Sequence, residues 1–131
     1  MALESAVVPL RAKLENHRRT VITIQMKTEQ LDMLKDRTGA AFLVDELQAE
    51  IPPLVKKRLE ERKELEALAE SLKSDLQRKV IDCYYLHGMS WEEVARTIFK
   101  TQQNDHALLA SDKRNCSEAR NRAIAAMEQA R

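Results

Sequence analysis

The sequence predicts an all-α protein built from long helices, and three observations support that class. Charged residues make up 33% of the chain and aromatic residues only 4%. With two glycines and three prolines, the chain has few residues that end helices or form turns. Apolar residues recur at the three- and four-residue spacing that places them along one side of a helix.

The N-terminal region contains the longest such pattern. Its spacings alternate between four and three, which is the heptad pattern of a helix that packs along a narrow seam. Pro9 suits a first helical turn, so a helix is expected from about Pro9 to Arg37, and Gly39 is expected to end it. The seam positions are Leu3, Val7, Leu10, Leu14, His17, Val21, Ile24, Thr28 and Leu31.

A short helix over residues 40–51 is expected next, because Pro52 and Pro53 disfavour a helical conformation in the residue before them. A second long helix is expected to begin at Pro53. Net charge is +3 over residues 11–41 and −3 over residues 42–75. Opposite charge favours an antiparallel hairpin of the two long helices, and an intermolecular coiled coil is the alternative. We therefore divide the chain into a hairpin or coiled-coil arm, residues 1–73, and a C-terminal module, residues 74–131.

The C-terminal module begins with two helix-start signals. The tetrad SDLQ at residues 74–77 is a candidate capping box, so a helix is expected from about Asp75 to the stop at Gly88. In the stretch GMSWEEVARTIF, residues 88–99, Ser90 and Glu93 have the spacing of a second capping box. Trp91 is expected to be half-buried, where it closes a small helical core.

A helix, a glycine turn and a short capped helix followed by a further helix is the order of a helix-turn-helix module. The segment LQRKVIDCYYLHGMSWEEVARTIF, residues 76–99, resembles region 4 of bacterial sigma factors. With the charged helical segment before it, the chain is most similar to phage sigma-region-4-like regulators of the RinA/ArpU type. The resemblance implies a fold with a recognition helix and a role in transcription, with promoter DNA and RNA polymerase as partners.

The chain departs from that family after residue 99. The segment KTQQNDHALLASDKRN comes before the last helical stretch, CSEARNRAIAAMEQAR. We expect an inserted helical turn from Asn104 to about Ala110, followed by the recognition helix; displacement of DNA binding by the insertion is the alternative. Arginine and asparagine side chains contact base edges and phosphates. The expected DNA-binding residues are Arg96, Lys100, Lys113, Arg114, Ser117, Asn121 and Arg122.

Several classes of function have no support in the sequence. There is no glycine-rich phosphate loop and no arrangement of nucleophile and base, so the chain is not predicted to be an enzyme and no cofactor is expected. Cys83, His87, His106 and Cys116 lack zinc-finger spacing, and no metal site is predicted. No apolar run is long enough to span a membrane and no signal peptide is present, so a cytoplasmic protein is expected.

The sequence therefore predicts a sequence-specific DNA-binding transcriptional regulator of phage type. Its expected partners are double-stranded DNA, RNA polymerase and a second copy bound through the N-terminal helices. The alternative is a helical adaptor, or a phage assembly or packaging protein, that uses the helix-turn-helix as a packing unit.

Overall fold

All regular structure in the described part of the chain is helical, which confirms the predicted class. The computed structural model describes residues 9–100 and 105–131, so the predicted seam positions Leu3 and Val7 lie outside the described residues. A π-helical turn, Asp82–Leu86, directly follows the third helix. The helices are α1 (Leu10–Leu34), α2 (Ala41–Glu70), α3 (Asp75–Ile81), α4 (Trp91–Phe99) and α5 (His106–Ala130).

Helices α1 and α2 pack side by side in opposite directions. The Lys13 ammonium lies 3.0 Å from a carboxylate oxygen of Glu64, and that of Lys27 lies 2.5 Å from one of Glu50. Later residues of α1 thus meet earlier residues of α2. In these two pairs, a positive charge of α1 forms an ion pair with a negative charge of α2 in the same chain.

The predicted seam of α1 is buried from Leu10 to Ile24 and becomes exposed towards the end of the helix. His17 is a seam residue and is completely buried, and its Nδ1 donates to Glu61 of α2 at 3.0 Å. Thr28 is exposed. Tight packing of α1 is therefore concentrated in its first four turns.

Helix α2 continues through Pro52 and Pro53, so the predicted break at these prolines is wrong. Each proline removes one hydrogen bond of the helix, which frees the carbonyl groups of Gln48 and Ala49. These four residues are all exposed, so water reaches that side of the helix. Contacts with α1 on both sides of the prolines, at Glu50 and Glu61, stabilise the helical conformation through the missing hydrogen bonds.

One core joins the two predicted parts of the chain. The start of α1, the end of α2, the π-helical turn and the second half of α5 bury apolar side chains against one another. Tyr85 is the largest residue that is completely buried, and its hydroxyl donates to Glu15 of α1 at 3.2 Å. The members are Leu10, Leu14, Leu65, Ala69, Leu72, Ile81, Tyr85, Leu86, Ala123, Ile124 and Met127.

A second, smaller core lies among α3, α4 and the first half of α5. Its completely buried members are Val80, Val94, Ala95 and Cys116. Trp91 packs against them with part of its surface exposed, as expected. Among the described helices, none combines the length and the apolar character needed to cross a membrane.

Candidate nucleic-acid interface

The start of α4 is fixed by its own sequence. The Ser90 hydroxyl accepts from the Glu93 backbone N–H at 3.2 Å, and the Glu93 carboxylate accepts from the Ser90 N–H at the same distance. Both halves of the predicted capping box are thus present. Ser74 likewise caps α3, where its hydroxyl accepts from the Gln77 N–H at 3.3 Å. Both helix starts are therefore determined locally.

The turn between the π-helical segment and α4 lies directly against α1. Gly88 has φ +71°, a conformation that costs other residues about 1 kcal/mol or more. A Cβ atom at Gly88 would also lie 3.2 Å from side-chain carbons of Val21 and Ile22. Glycine is needed here both for the backbone conformation and for the close approach of α1.

Helix α1 also forms hydrogen bonds to the backbone of this turn. The Arg18 guanidinium donates through Nε to the carbonyl of Tyr84 and through Nη2 to that of Met89, both at 3.1 Å. The Gln25 amide donates to the carbonyl of His87 at 3.0 Å. Two side chains of α1 thereby satisfy three carbonyl groups between α3 and α4.

Aromatic rings and guanidinium groups form a column across the base of α4. The Arg18 guanidinium lies 4.1 Å from the centroid of the Tyr84 ring, and that ring stacks on Trp91 at a centroid distance of 3.9 Å. On the other side of Trp91, the Arg120 guanidinium lies 5.1 Å from the ring centroid. The column connects α1, the π-helical turn, α4 and α5 by contacts that stabilise their packing by about 0.5–1.5 kcal/mol each.

Helix α5 is continuous from His106 to Ala130, so the predicted separate helical turn before a last helix is wrong. Asp105 caps it, and its carboxylate accepts from the Leu108 N–H at 2.9 Å. Leu109, Asp112 and Cys116 continue the buried side of the helix across the boundary we expected. Because that side is uninterrupted, residues 106–115 form the N-terminal part of α5 instead of an element of their own.

Of the predicted binding residues on α5, Arg114 and Asn121 face away from the core, whereas Lys113 and Ser117 lie on either side of the buried Ile124. At about 100° per residue, Lys113, Ser117, Asn121 and Arg114 occupy an arc of about 100°. Arg114 and Asn121 lie at its outer edge, opposite the buried residues. Arg122 lies about 80° beyond Arg114, so α5 has a polar outer face with one cation on each flank. All of these side chains are exposed except Ser117, which is partly buried.

The amide of Asn121 is oriented by two arginines. Arg11 of α1 donates to its oxygen through Nη2 at 3.1 Å, and Arg120 donates through Nε at 3.2 Å. An amide oxygen accepts two hydrogen bonds, so only the N–H donors of Asn121 remain for a ligand. A paired contact to adenine needs the oxygen as well. As held here, Asn121 suits acceptor atoms such as phosphate oxygens or guanine N7 and O6.

Arg96 and Lys100 on α4 differ in their availability. Arg96 donates to Glu92 at 2.6 Å. This bond lowers the pKa of the Glu92 carboxyl, and Lys113 and His106 of α5 act in the same direction. Lys100 is exposed at the end of α4, in a left-handed conformation with φ 53°. The charge of Arg96 is therefore largely offset by Glu92, whereas that of Lys100 faces solvent.

The sequence analysis missed the residues of α1 that complete this surface. Arg11, Arg18 and Gln25 contact residues 62 to 110 positions away in the chain. No local pattern marks them, because they lie beside the apolar seam among other polar residues of a charged helix.

Cys83 and Cys116 both pack at the second core. Burial raises the pKa of both thiols, that of Cys116 to about 11, so neither is a thiolate at neutral pH. Within residues 9–100 and 105–131, no group of three or more His, Cys, Asp or Glu side chains has the arrangement of a metal site.

Comparisons of the chain with protein-family models, with curated proteins and with solved structures gave no match.

Proposed function

We propose that this protein is a sequence-specific DNA-binding regulator of transcription. In this proposal the α1–α2 pair is a hairpin arm, α4 and α5 are the two helices of a sigma-region-4-like helix-turn-helix, and α5 enters the major groove. The observation that carries the proposal is the packing of a short helix, whose start is fixed by a capping box, against a long helix. The outer face of that long helix is polar and has a cation on each flank. The resemblance of residues 76–99 to sigma region 4 supports the same function.

The residues divide into two proposed roles. Arg114 points directly away from the core, so it is the best candidate for a contact to a base edge, for which guanine is the usual partner of arginine. Lys113 and Arg122 lie on opposite flanks of α5, where the phosphates of the two strands border the groove. Lys100, at the end of α4, is a further phosphate contact. RNA polymerase is a proposed second partner through the resemblance alone.

The test is a fluorescence-anisotropy titration of labelled duplex DNA, selected from a random pool, at several salt concentrations. We expect Arg114→Ala to lose about 1 to 3 kcal/mol on the selected site and to relax the preference at one base pair. Lys100→Ala should weaken binding to all sequences alike and lower the salt slope by about one unit.

Lys56→Ala is the matched control, because Lys56 is an exposed lysine on α2, away from α4 and α5. It should leave both affinity and salt slope unchanged. If the wild-type protein binds no duplex at low salt, or if Arg114→Ala and Lys100→Ala bind as the wild type does, the DNA-binding proposal is wrong.

A helical adaptor is the second candidate function, and one observation favours it. At the end of the α1–α2 pair farthest from α4 and α5, large apolar side chains are exposed, among them Phe42 and Met33. Surfaces of this kind mark protein contacts. An adaptor would bind DNA weakly or not at all and would show no dependence of binding on phosphate contacts.

A further inference from the structure

The end of the α1–α2 pair formed by residues 26–50, here called the tip, is built unlike the rest of the arm. Phe42 exposes 72% of its surface and Met33 65%, and Leu43 beside them exposes 49%. The core that buries the start of α1 includes no residue of this segment. Several large apolar side chains exposed in one segment of a helix pair indicate a surface that another molecule covers.

A groove of about 450 Å³ runs between the two helices at the tip. Met33 and Leu34 from α1 and Leu43 and Leu47 from α2 supply its apolar lining. The groove is large enough for an aromatic side chain such as Phe42. Its shape therefore suits a partner that presents an exposed apolar side chain to it.

The two sides of this groove carry opposite charge. Lys27 of α1 and Arg37, in the connection after α1, supply its basic lining, and Glu46 and Glu50 of α2 supply its acidic lining. Lys27 and Glu50 pair with each other at one end. Arg37 is exposed on one rim and Glu46 is exposed on the other. A partner that presents an acidic side chain to Arg37 and a basic side chain to Glu46 would therefore complement the groove.

We infer that the partner is a second copy of this chain, bound tip to tip about a two-fold axis. In a two-fold contact the same surface meets itself, and an axis that runs along the groove places Arg37 of one copy against Glu46 of the other. Each copy also carries the exposed Phe42 beside the groove that would receive the partner's ring. Apolar lining, exposed ring and opposite rims make the tip complementary to itself.

The number of residues at the tip sets the expected affinity of the dimer. Nine residues line the groove, whereas a standard protein interface uses about 20–30 residues on each side. We expect a dimer that dissociates in the micromolar range. The core residues of α1 and α2 that pack with α5, among them Leu10, Leu14 and Leu65, lie at the end of the pair opposite to the tip. The dimer would therefore leave both copies of the outer face of α5 free.

A charge-exchange experiment tests the contact without DNA, so its result is independent of the proposed function. Arg37→Glu alone places acidic side chains opposite each other in the dimer, and Glu46→Arg alone places basic ones opposite each other. We expect each variant, measured by sedimentation velocity, to dimerise about tenfold or more weakly than the wild type.

An equimolar mixture of the two variants should recover dimerisation, and native mass spectrometry should identify a heterodimer. In the heterodimer both contacts join a glutamate to an arginine. Repulsion within one chain could not be relieved by mixing, so failure of the mixture to recover would overturn the two-fold arrangement.

A second pair of variants tests the apolar part. Phe42→Glu should leave the protein monomeric at concentrations where the wild type is a dimer. Leu59→Glu is the matched control, because Leu59 also lies on α2 with 55% of its surface exposed, but outside the tip. A wild-type protein that stays monomeric at high micromolar concentration, or equal effects of the two substitutions, would refute the inference.

Discussion

Arg18 should be the residue of α1 whose loss most destabilises the packing of the π-helical turn and α4. Arg18→Ala removes two hydrogen bonds to backbone carbonyls, each 3.1 Å long, and a guanidinium 4.1 Å from the Tyr84 ring. Bonds to charged groups contribute about 1.5–3 kcal/mol when buried, and about 1 kcal/mol each is appropriate for a partly exposed side chain. The cation–π contact adds about 0.5–1 kcal/mol. We expect a total loss of about 2.5–3 kcal/mol in the free energy of unfolding.

The assay is urea unfolding followed by far-ultraviolet circular dichroism and by the fluorescence of Trp91, the single tryptophan of the chain. The midpoint should fall with little change in slope. Arg19→Ala is the control, since Arg19 is the adjacent arginine and is exposed, and it should change stability by less than about 0.5 kcal/mol. Equal stability of the two variants would refute the idea that α1 holds the turn before α4.

Other consequences of the structure can be measured on the same protein. Ser90→Ala should lower the free energy of unfolding by about 1 kcal/mol through loss of the capping box. Ser111→Ala, at an exposed position within α5, should lower it much less. Equal melting temperatures of the two variants would contradict this. Trp91→Ala should cost about 3 kcal/mol or more, because it empties the centre of the aromatic column. Burial, assisted by the charge of Glu15, raises the pKa of Tyr85 to about 12. The raised pKa means that the neutral Tyr85 hydroxyl stabilises the folded state. This contribution is complete below pH 10 and is lost as the pH rises through about 12. An ultraviolet titration in which no tyrosine ionises late, or in which Tyr85→Phe leaves the late step in place, would disprove that assignment.

The sequence by itself determined those features whose causes lie within a few residues. The helical class follows from composition and from the apolar spacing. Ser74 and Ser90 mark the starts of α3 and α4, because a cap forms with a backbone group three residues away. Residues Leu10 to Ile24 were correctly identified as the packed seam of α1. Such features need no knowledge of which helices meet.

The tertiary structure decided everything that depends on contacts between distant segments. Helix α2 continues through Pro52 and Pro53 because α1 packs against it on both sides, and a local rule cannot include that energy. Arg18 meets Tyr84 across 66 positions, and Arg11 meets Asn121 across 110. The charge of a surface arginine is visible in the sequence, but its partner is not. Whether such a residue binds a ligand or holds the fold together is therefore set by the packing of the helices.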